Sequence, residues 1–342
     1  MASSRPIPAP YRVCKVEPGI EIWLLAGGRW PRSPAAMKCA AFALSGTLRS
    51  DRAWHTADVT VIVLVMSDPF RTGFDRDGFA VARQLFSRRE AGRYRGHFMA
   101  LARGGPRPHN MADAGSQAGD PLRRYPRMMQ MHRWDPVSLE WLLDARICDR
   151  LLAVLDRLPF AVQTMCYFKP PGSRGQALHQ DNFFLRASPG TCVAAWLALD
   201  RADEANGCLL VVPGSHRWPI LCTTAADTAQ SFTDITVPLP SGTRPRPVPM
   251  EPGDVLFFNG SLVHGSNPNH TAGRFRRSLI GHYIQAEARQ VAGYYHPALA
   301  MDGTQLRLGV SQDGSLCGEW ADGPGGPVIQ MTERHPAGST RE

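Results

Sequence analysis

Residues 176–185 read QALHQDNFFL, and we predict that Ala177–Phe184 forms a β-strand. Because side chains alternate between the two faces of a strand, His179 and Asp181 are expected to point to the same side. An imidazole and a carboxylate placed together in this way can share one metal ion. Further along the chain, His264 in the stretch GDVLFFNGSLVHGSNPN supplies a second imidazole.

This set of donors indicates which metal the site binds. Two histidines and one aspartate on one face form the ligand set of non-haem Fe(II) oxygenases, and the set leaves coordination positions open. The site has no thiolate, so we predict Fe(II) and not zinc. An open iron site of this kind needs a reductant to activate dioxygen, and a 2-oxo acid supplies the two electrons.

The distal carboxylate of such an oxo acid requires a cationic partner. A guanidinium group offers two parallel donors that match a carboxylate, and Arg274, Arg276 and Arg277 follow His264. On a strand Arg276 and Arg277 face opposite sides, so only one of them can point into the fold. Ser266 offers a hydroxyl to the same carboxylate.

The chain around these residues consists of short apolar segments separated by Pro and Gly turns. This pattern is typical of a sandwich or barrel and predicts a mainly β fold with flanking α-helices, a cupin-like double-stranded β-helix or jelly roll. The candidate strands are Ala161–Phe168, Ala177–Phe184, Val193–Leu199, Leu209–Val212, Asp254–Phe258 and Arg277–Gln285.

Helices are predicted before this region. Phe79–Ala82 is a candidate strand, and Ser87 with Glu90 forms a capping box that starts a helix at Arg88. Residues 138–158 form a second helical stretch. The apolar side of this stretch is predicted to comprise Leu142, Ala145, Cys148, Leu151, Leu152 and Leu155.

Composition places limits on organisation and partners. The chain has 342 residues, 43% of them hydrophobic, and a formal charge of +8. Basic residues are spread out, so we expect no nucleic-acid partner.

Residues 1–65 show no sustained helical or strand period and are predicted to be an extension that is poorly ordered or not native, with translation starting at Met66. The predicted organisation continues with the jelly-roll domain over residues 66–300 and a peripheral tail over 301–342.

Cysteine spacing and hydropathy bear on the cellular environment. The eight cysteines show no CxxC pair or dense framework, which predicts reduced, buried thiols. No apolar run reaches the length of a membrane span, and the N-terminus lacks the pattern of a signal peptide. A cytoplasmic protein is therefore expected, with its oligomeric state left open.

Five segments between Phe74 and Gln285 carry a joint pattern: FDRDGFAVARQLFS, LHQDN, NGCLLVVPGSH, GDVLFFNGSLVHGSNPN and FRRSLIGHY. Together they resemble the phytanoyl-CoA dioxygenase family of Fe(II)- and 2-oxoglutarate-dependent oxygenases, which includes ectoine hydroxylases. The resemblance implies that the chain uses Fe(II), 2-oxoglutarate and dioxygen to hydroxylate an unactivated C–H bond of a small molecule or acyl substrate, with release of succinate and CO2.

The same resemblance implies roles for individual residues. His179, Asp181 and His264 correspond to the catalytic iron ligands, and Arg276 to the arginine that binds 2-oxoglutarate, with Arg277 as an alternative. The remaining implied contacts of the cosubstrate and substrate are Trp196, Ser266, Gln163 and Tyr167. Relatives that halogenate have a small residue in place of the aspartate, so Asp181 predicts hydroxylation.

Three other functions are considered. A nucleic-acid demethylase of the same superfamily would fit the basic charge, but the sequence lacks its second arginine pattern and its basic surface interleaved with aromatic residues. A cupin-type metalloenzyme that does not use 2-oxoglutarate could share the fold, and so could a non-catalytic ligand-binding member. The substrate is expected to be a small molecule contacted by the loops in residues 103–135 and 218–246, because loops carry specificity.

Overall fold

The computed structural model describes residues 11–17, 20–25, 68–105, 110–111, 119–312 and 316–332. In the predicted N-terminal extension, Tyr11–Glu17 (β1) and Ile20–Leu25 (β2) pair as an antiparallel hairpin. Sequence patterning predicts no strand there, because two strands this short do not produce a sustained period. The rest of residues 1–65 lies outside the described residues, and their status as an extension stays a prediction.

The helices flank the sheets and are short. They are α1 (Pro69–Asp77), α2 (Arg88–Arg103), α3 (Pro121–Arg124), α4 (Pro136–Leu142), α5 (Ala145–Leu155) and α6 (Asp181–Leu185). Among the described residues, no helix has the length and apolar character of a membrane span.

Most of the other described elements are β-strands. They are β3 (Phe79–Ala82), β4 (Asn110–Met111), β5 (Arg127–Met129), β6 (Phe160–Tyr167), β7 (Gln176–His179), β8 (Cys192–Ala198), β9 (Leu209–Val211), β10 (Thr224–Ala225), β11 (Ile235–Thr236), β12 (Arg246–Val248), β13 (Val255–Asn259), β14 (His264–Ser266), β15 (Ser278–Ile284), β16 (Gln290–Val291), β17 (Ala298–Leu299), β18 (Gln305–Leu306), β19 (Gly309–Val310), β20 (Cys317–Gly323) and β21 (Gly326–Thr332).

Two antiparallel sheets form the centre of the fold. The larger sheet has the strand order β18-β17-β6-β15-β8-β13-β3, with β5 also pairing with β6, and the smaller sheet has the order β12-β9-β14-β7. Most neighbouring strands in the two sheets are not consecutive in the chain, as expected for a jelly roll. The predicted fold class is therefore confirmed.

The core has two layers because the larger sheet is covered on both faces. On β8, Trp196 and Ala198 pack in a cluster that includes Leu209 of the smaller sheet. Leu197, on the opposite face of β8, packs in a second cluster with helix residues such as Leu151. This burial on both sides explains why β8 reads as an uninterrupted apolar run, CVAAWLA.

The predicted start of the first long helix is confirmed. Helix α2 begins at Arg88, the Ser87 hydroxyl accepts a hydrogen bond from the Glu90 amide, and the Glu90 carboxylate accepts one from the Ser87 amide at 2.8 Å. Ala91 and Phe98 of this helix are buried.

The predicted strand Ala177–Phe184 is wrong in its second half. Strand β7 ends at His179, and Asp181 is the first residue of α6. Gln180 explains the change, because its buried side-chain amide donates to the carbonyl oxygen of Ser261 at 2.8 Å and accepts from the amide of Leu221. These tertiary contacts draw the chain out of the sheet.

The helical stretch predicted over residues 138–158 is two helices. Asp144 interrupts it and caps α5, since its carboxylate accepts a hydrogen bond from the Arg146 amide at 2.9 Å. Leu142 and Leu151 of the predicted apolar side are buried, and so are Ile147 and Val154, which were not predicted. Cys148, Leu152 and Leu155 are only half-buried.

The prediction that all cysteines are reduced is wrong for one pair. Cys222 and Cys317 form a disulfide across 95 residues of sequence. The amide of Cys222 donates to the carbonyl of Gly318 at 2.9 Å, so the backbone already joins the two segments. Cysteine spacing carries no information about such a contact. Cys148, Cys166, Cys192 and Cys208 are free.

The disulfide attaches a C-terminal hairpin to the rest of the fold. Strands β20 and β21 pair with each other, and Trp320 contacts Trp218 edge to face with 5.1 Å between ring centroids. The Trp320 indole also donates to the carbonyl of Pro238 at 3.0 Å. The assignment of residues 301–342 as a peripheral tail stays a prediction.

Candidate metal centre and cosubstrate site

Three predicted ligands come together at one end of the smaller sheet. His179 is the last residue of β7 and His264 is the first residue of β14, and the two are direct partners in the antiparallel register. Their ring centroids are 4.1 Å apart. Asp181 lies two residues after His179, and Gln180 between them has an extended backbone.

The donor atoms of these residues face a common point. The Nε2 atoms of His179 and His264 lie 3.5 and 3.6 Å from Oδ1 of Asp181. One ligand atom from each of the three residues lies within 4.8 Å of the others. This spacing fits three ligands on one face of a metal ion.

Hydrogen bonds to the backbone determine which imidazole nitrogen faces the centre. Nδ1 of His179 donates to the carbonyl of Ala177 at 2.9 Å, and Nδ1 of His264 donates to the carbonyl of Leu262 at 3.0 Å. A carbonyl only accepts, so the proton is on Nδ1 and the lone pair is on Nε2. The side-chain amide of Gln176 donates to Nε2 of His179 at 3.1 Å.

The protonation states also suit metal binding. Burial, together with the neighbouring His179, lowers the pKa of His264 to about 4, so this imidazole is neutral at pH 7. Burial opposes ionisation of Asp181, but the nearby His264 and His282 hold the pKa of its carboxyl well below its usual range. The site therefore offers a neutral imidazole and a carboxylate anion.

His282 on β15 contacts the aspartate and was not identified from the sequence. It is buried, and its Nε2 donates to Oδ2 of Asp181 at 3.0 Å. This bond occupies one carboxylate oxygen and leaves Oδ1 facing the two imidazoles. The available signal was the position of His282 in the predicted strand Arg277–Gln285.

The arginines after His264 differ in their partners. Arg277 binds Asp200 with both ends of its guanidinium, at 2.6 and 3.0 Å, and exposed Arg274 binds Asp203. Arg276 is 3% exposed, and no carboxylate among the described residues pairs with it. Of these three arginines, Arg276 is therefore the one whose charge has no carboxylate partner among the described residues.

Arg276 is held by neutral groups. Its Nε donates to the carbonyl of Gly207 at 3.1 Å and its Nη1 to the hydroxyl of Ser278 at 3.1 Å. The guanidinium carbon lies 5.3 Å from the centre of the Trp196 ring. Burial lowers the pKa of Arg276 to about 10 and outweighs the opposite effect of Tyr167, Cys208 and Asp200.

The metal centre opens into a cavity of about 140 Å³. Trp196, Tyr167 and Gln163 line this cavity together with the three ligands, whereas Arg276 and Ser266 are not among its lining residues. Arg276 is against the Trp196 ring, and Ser266 is the register partner of the cavity residue Leu209. The cavity residues from the predicted substrate loops are Arg127, Met129, Thr233, Asp234 and Ile235.

Iron and 2-oxoglutarate both fit the residues present. The two imidazoles and one carboxylate, without a thiolate, match the preference of non-haem Fe(II). A buried arginine without a carboxylate partner matches an anionic cosubstrate.

Known proteins have sequences similar to this chain. The phytanoyl-CoA dioxygenase family model matches residues 74–278. Phytanoyl-CoA dioxygenase 1 of Oryza sativa subsp. japonica is 32% identical over 158 residues, which cover 46% of this chain and 56% of the rice protein. The peroxisomal phytanoyl-CoA dioxygenase of Rattus norvegicus is 27% identical over 278 residues, which cover 76% of this chain and 80% of the rat protein.

A solved structure extends the comparison to the cosubstrate. The crystal structure of EvdO2 from Micromonospora carbonacea var. aurantiaca complexed with 2-oxoglutarate aligns with a TM-score of 0.52 and 25% identity. The alignment covers 66% of this chain and 93% of EvdO2. Together, the jelly-roll fold and the His–Asp–His site define an Fe(II)- and 2-oxoglutarate-dependent dioxygenase. The chain belongs to the phytanoyl-CoA dioxygenase family.

Proposed function

We propose that this enzyme hydroxylates an unactivated C–H bond of a small molecule or acyl substrate and releases succinate and CO2. The observation that carries the proposal is the convergence of His179, Asp181 and His264, with both Nε2 lone pairs and one carboxylate oxygen directed at the same point. The intact aspartate supports hydroxylation, because the carboxylate takes the coordination position that a halide would need.

Each polar residue of the site has a role in this proposal. His179, Asp181 and His264 hold the ferrous ion. When bound, iron and 2-oxoglutarate supply the oxidising power for C–H hydroxylation through oxidative decarboxylation of the oxo acid. Arg276 binds the distal carboxylate of 2-oxoglutarate through its unpaired charge, and Ser266 adds a hydroxyl to that carboxylate.

The remaining walls position the substrate and exclude water. The Trp196 ring lines the cavity and lies against the Arg276 guanidinium, which helps to hold the arginine in place. Apolar side chains such as Phe258 and Ile280 line the same cavity, so few water molecules can compete at the reacting centre. Tyr167 accepts a hydrogen bond from Arg127 at 3.4 Å and forms part of the wall near the substrate loops.

The test is metal-dependent turnover of the cosubstrate. We expect purified protein with Fe(II) to consume dioxygen and convert 2-oxoglutarate into succinate, faster in the presence of a substrate found by metabolite screening. Asp181→Ala is expected to abolish succinate formation, while Arg274→Gln, which alters an exposed pair with Asp203, is expected to retain it.

The alternatives predict different results. Activity that is indifferent to 2-oxoglutarate would indicate a cupin-type metalloenzyme. Tight binding of 2-oxoglutarate without succinate release under any condition would indicate a non-catalytic member.

A further inference from the structure

Lys169 is a buried cation that the proposed reaction does not yet use. It follows β6 and is 3% exposed. Its backbone has φ of +34°, in the left-handed region that is unfavourable for a residue with a side chain. Strained backbone of this kind persists only where surrounding contacts hold it, and it is concentrated at functional sites. The carbonyl oxygen of Lys169 accepts a hydrogen bond from the backbone amide of Arg276 at 3.1 Å, so Lys169 also holds the backbone at Arg276.

The ammonium group of Lys169 has three neutral acceptors. Its Nζ donates to the hydroxyl of Ser266 at 2.8 Å, to the carbonyl of Gly207 at 3.4 Å and to the carbonyl of Asn267. These acceptors match the three hydrogens of an ammonium group. None of them carries a negative charge.

Lys169 and Arg276 share one of these acceptors. The carbonyl of Gly207 accepts from Nζ of Lys169 and also from Nε of Arg276 at 3.1 Å. Two buried basic side chains therefore flank a single carbonyl, and no carboxylate among the described residues pairs with either. Burial, together with the neighbouring Arg276, holds the pKa of Lys169 well below its usual range, so the charged form of the lysine needs an added anion. Buried charges are normally paired, so this arrangement points to an anion supplied from outside the chain.

Gly207 allows the two cations to come this close. A Cβ at this position would lie 2.9 Å from Nζ of Lys169 and 2.3 Å from the carbonyl oxygen of Asn267. The backbone also has φ of +74°, which favours glycine. Any other residue would push the lysine away from the site.

The bond from Lys169 also orients Ser266. Because the Ser266 oxygen accepts from Nζ, its own O–H hydrogen is free to donate elsewhere. A carboxylate beside Arg276 would then receive donors from both the arginine and the serine.

We propose that Lys169 is the second cation of the site that binds the distal carboxylate of the cosubstrate, and that it positions the Ser266 hydroxyl for this contact. The proposal rests on the proposed function. It predicts that Lys169 contributes to the affinity for a dicarboxylic oxo acid and contributes nothing to the affinity for a 2-oxo acid that lacks the distal carboxylate.

The test measures binding, without turnover. Mn(II)-loaded protein is titrated by calorimetry, in the absence of dioxygen, with 2-oxoglutarate and with 2-oxobutyrate. We expect Lys169→Met to weaken 2-oxoglutarate binding ~10- to 100-fold, the loss expected for a charge-assisted interaction, and to leave 2-oxobutyrate binding unchanged. Arg274→Gln is the matched control, because it alters a basic residue near the same site that is exposed and paired with Asp203.

A second variant, Lys169→Gln, keeps a side-chain donor but loses the charge, and it replaces Lys169→Met if that protein does not fold. Unchanged 2-oxoglutarate affinity in the folded variant would overturn the proposal. Equal weakening of both oxo acids would also overturn it, because it would mean that Lys169 only supports the loop structure. If the wild-type protein binds neither oxo acid, the proposed function itself fails.

Discussion

His282 shows how a single residue outside the ligand set can determine the geometry of the metal site. It donates to Oδ2 of Asp181, so Oδ1 is the oxygen directed at His179 and His264. Without this bond the carboxylate could rotate, and its two oxygens would become equivalent for the metal. Partners of metal ligands typically matter almost as much as the ligands.

We expect His282→Phe to lower the affinity for Co(II), used as a stable probe for the iron site, by ~10- to 100-fold. The physical reason is the loss of the donor that orients Asp181. The affinity is measured by calorimetric titration of metal-free protein. His132→Phe is a matched control, since His132 is also buried but contacts Thr164. Equal Co(II) affinities for wild type and His282→Phe would refute a positioning role.

The two adjacent arginines provide a second prediction at this scale. Arg276→Met is expected to weaken 2-oxoglutarate binding by ~100-fold, because it removes the buried charge without a carboxylate partner. Arg277→Met is expected to leave that affinity unchanged and to lower the free energy of unfolding by about 1–3 kcal/mol, since it leaves Asp200 with fewer partners. Calorimetry and urea denaturation separate the two effects. The reverse pattern would assign the cosubstrate to Arg277.

Among the secondary structure elements, α2 depends on a cap that also links it to α5. The Glu90 carboxylate accepts a hydrogen bond from the Ser87 amide at the N-terminus of α2. It also accepts one from the guanidinium of Arg146 in α5, at 3.0 Å. The hydrogen bonds from Ser87, with a further contribution from Arg146, lower the pKa of Glu90 to about 2. The carboxylate is therefore favoured in the folded state.

Glu90→Ala is expected to lower the free energy of unfolding by about 1 kcal/mol at pH 7, the usual effect of losing a helix cap. A glutamate in the unfolded chain has a pKa of about 4.3. The stabilisation by Glu90 is therefore present above that pH and is lost as the pH falls toward about 2. Urea denaturation between pH 7 and pH 3 measures the difference from wild type. Glu140→Ala, at an exposed position of α4, is the control. A difference that does not shrink with falling pH would contradict this assignment.

For the whole molecule, the disulfide joins the C-terminal hairpin to a segment that carries cavity residues. Cys222 lies in the segment 218–246, which also carries the cavity residues Thr233, Asp234 and Ile235. Cys317 lies at the start of the C-terminal hairpin. The covalent link therefore connects the hairpin to a segment that forms a wall of the cavity.

Cys222→Ser is expected to lower the free energy of unfolding by about 2–4 kcal/mol, because a cross-link between distant residues restricts the unfolded chain. Thermal unfolding of wild type and variant under non-reducing conditions measures the effect. Cys148→Ser, at a free and half-buried thiol, is expected to have little effect. Equal melting temperatures for wild type and Cys222→Ser would indicate that the link does not stabilise the fold.

The residues at the metal centre were predictable because each belongs to a local pattern. His179, Asp181 and His264 stand in segments with strand and turn signals, and the Ser87–Glu90 cap depends only on residues within one helical turn. The start of α2 and most of the strands could be located for the same reason.

The helix break at Asp144 and the end of β7 at His179 were not predictable in this way. Asp144 was a capping residue in an apparently continuous apolar pattern, and Gln180 leaves the sheet because of contacts with residues far along the chain.

The amino-acid sequence by itself determined the fold class, the types of ligand and their order along the chain, because short-range periodicity and side-chain chemistry are local properties. Only the tertiary structure decided that His264 lies opposite His179, that Arg276 and not Arg277 keeps an unpaired charge, and that Lys169 joins it beside Gly207. Strand register, burial and ion pairing depend on which distant segments pack together. Those contacts cannot be predicted from the spacing of residues along the chain.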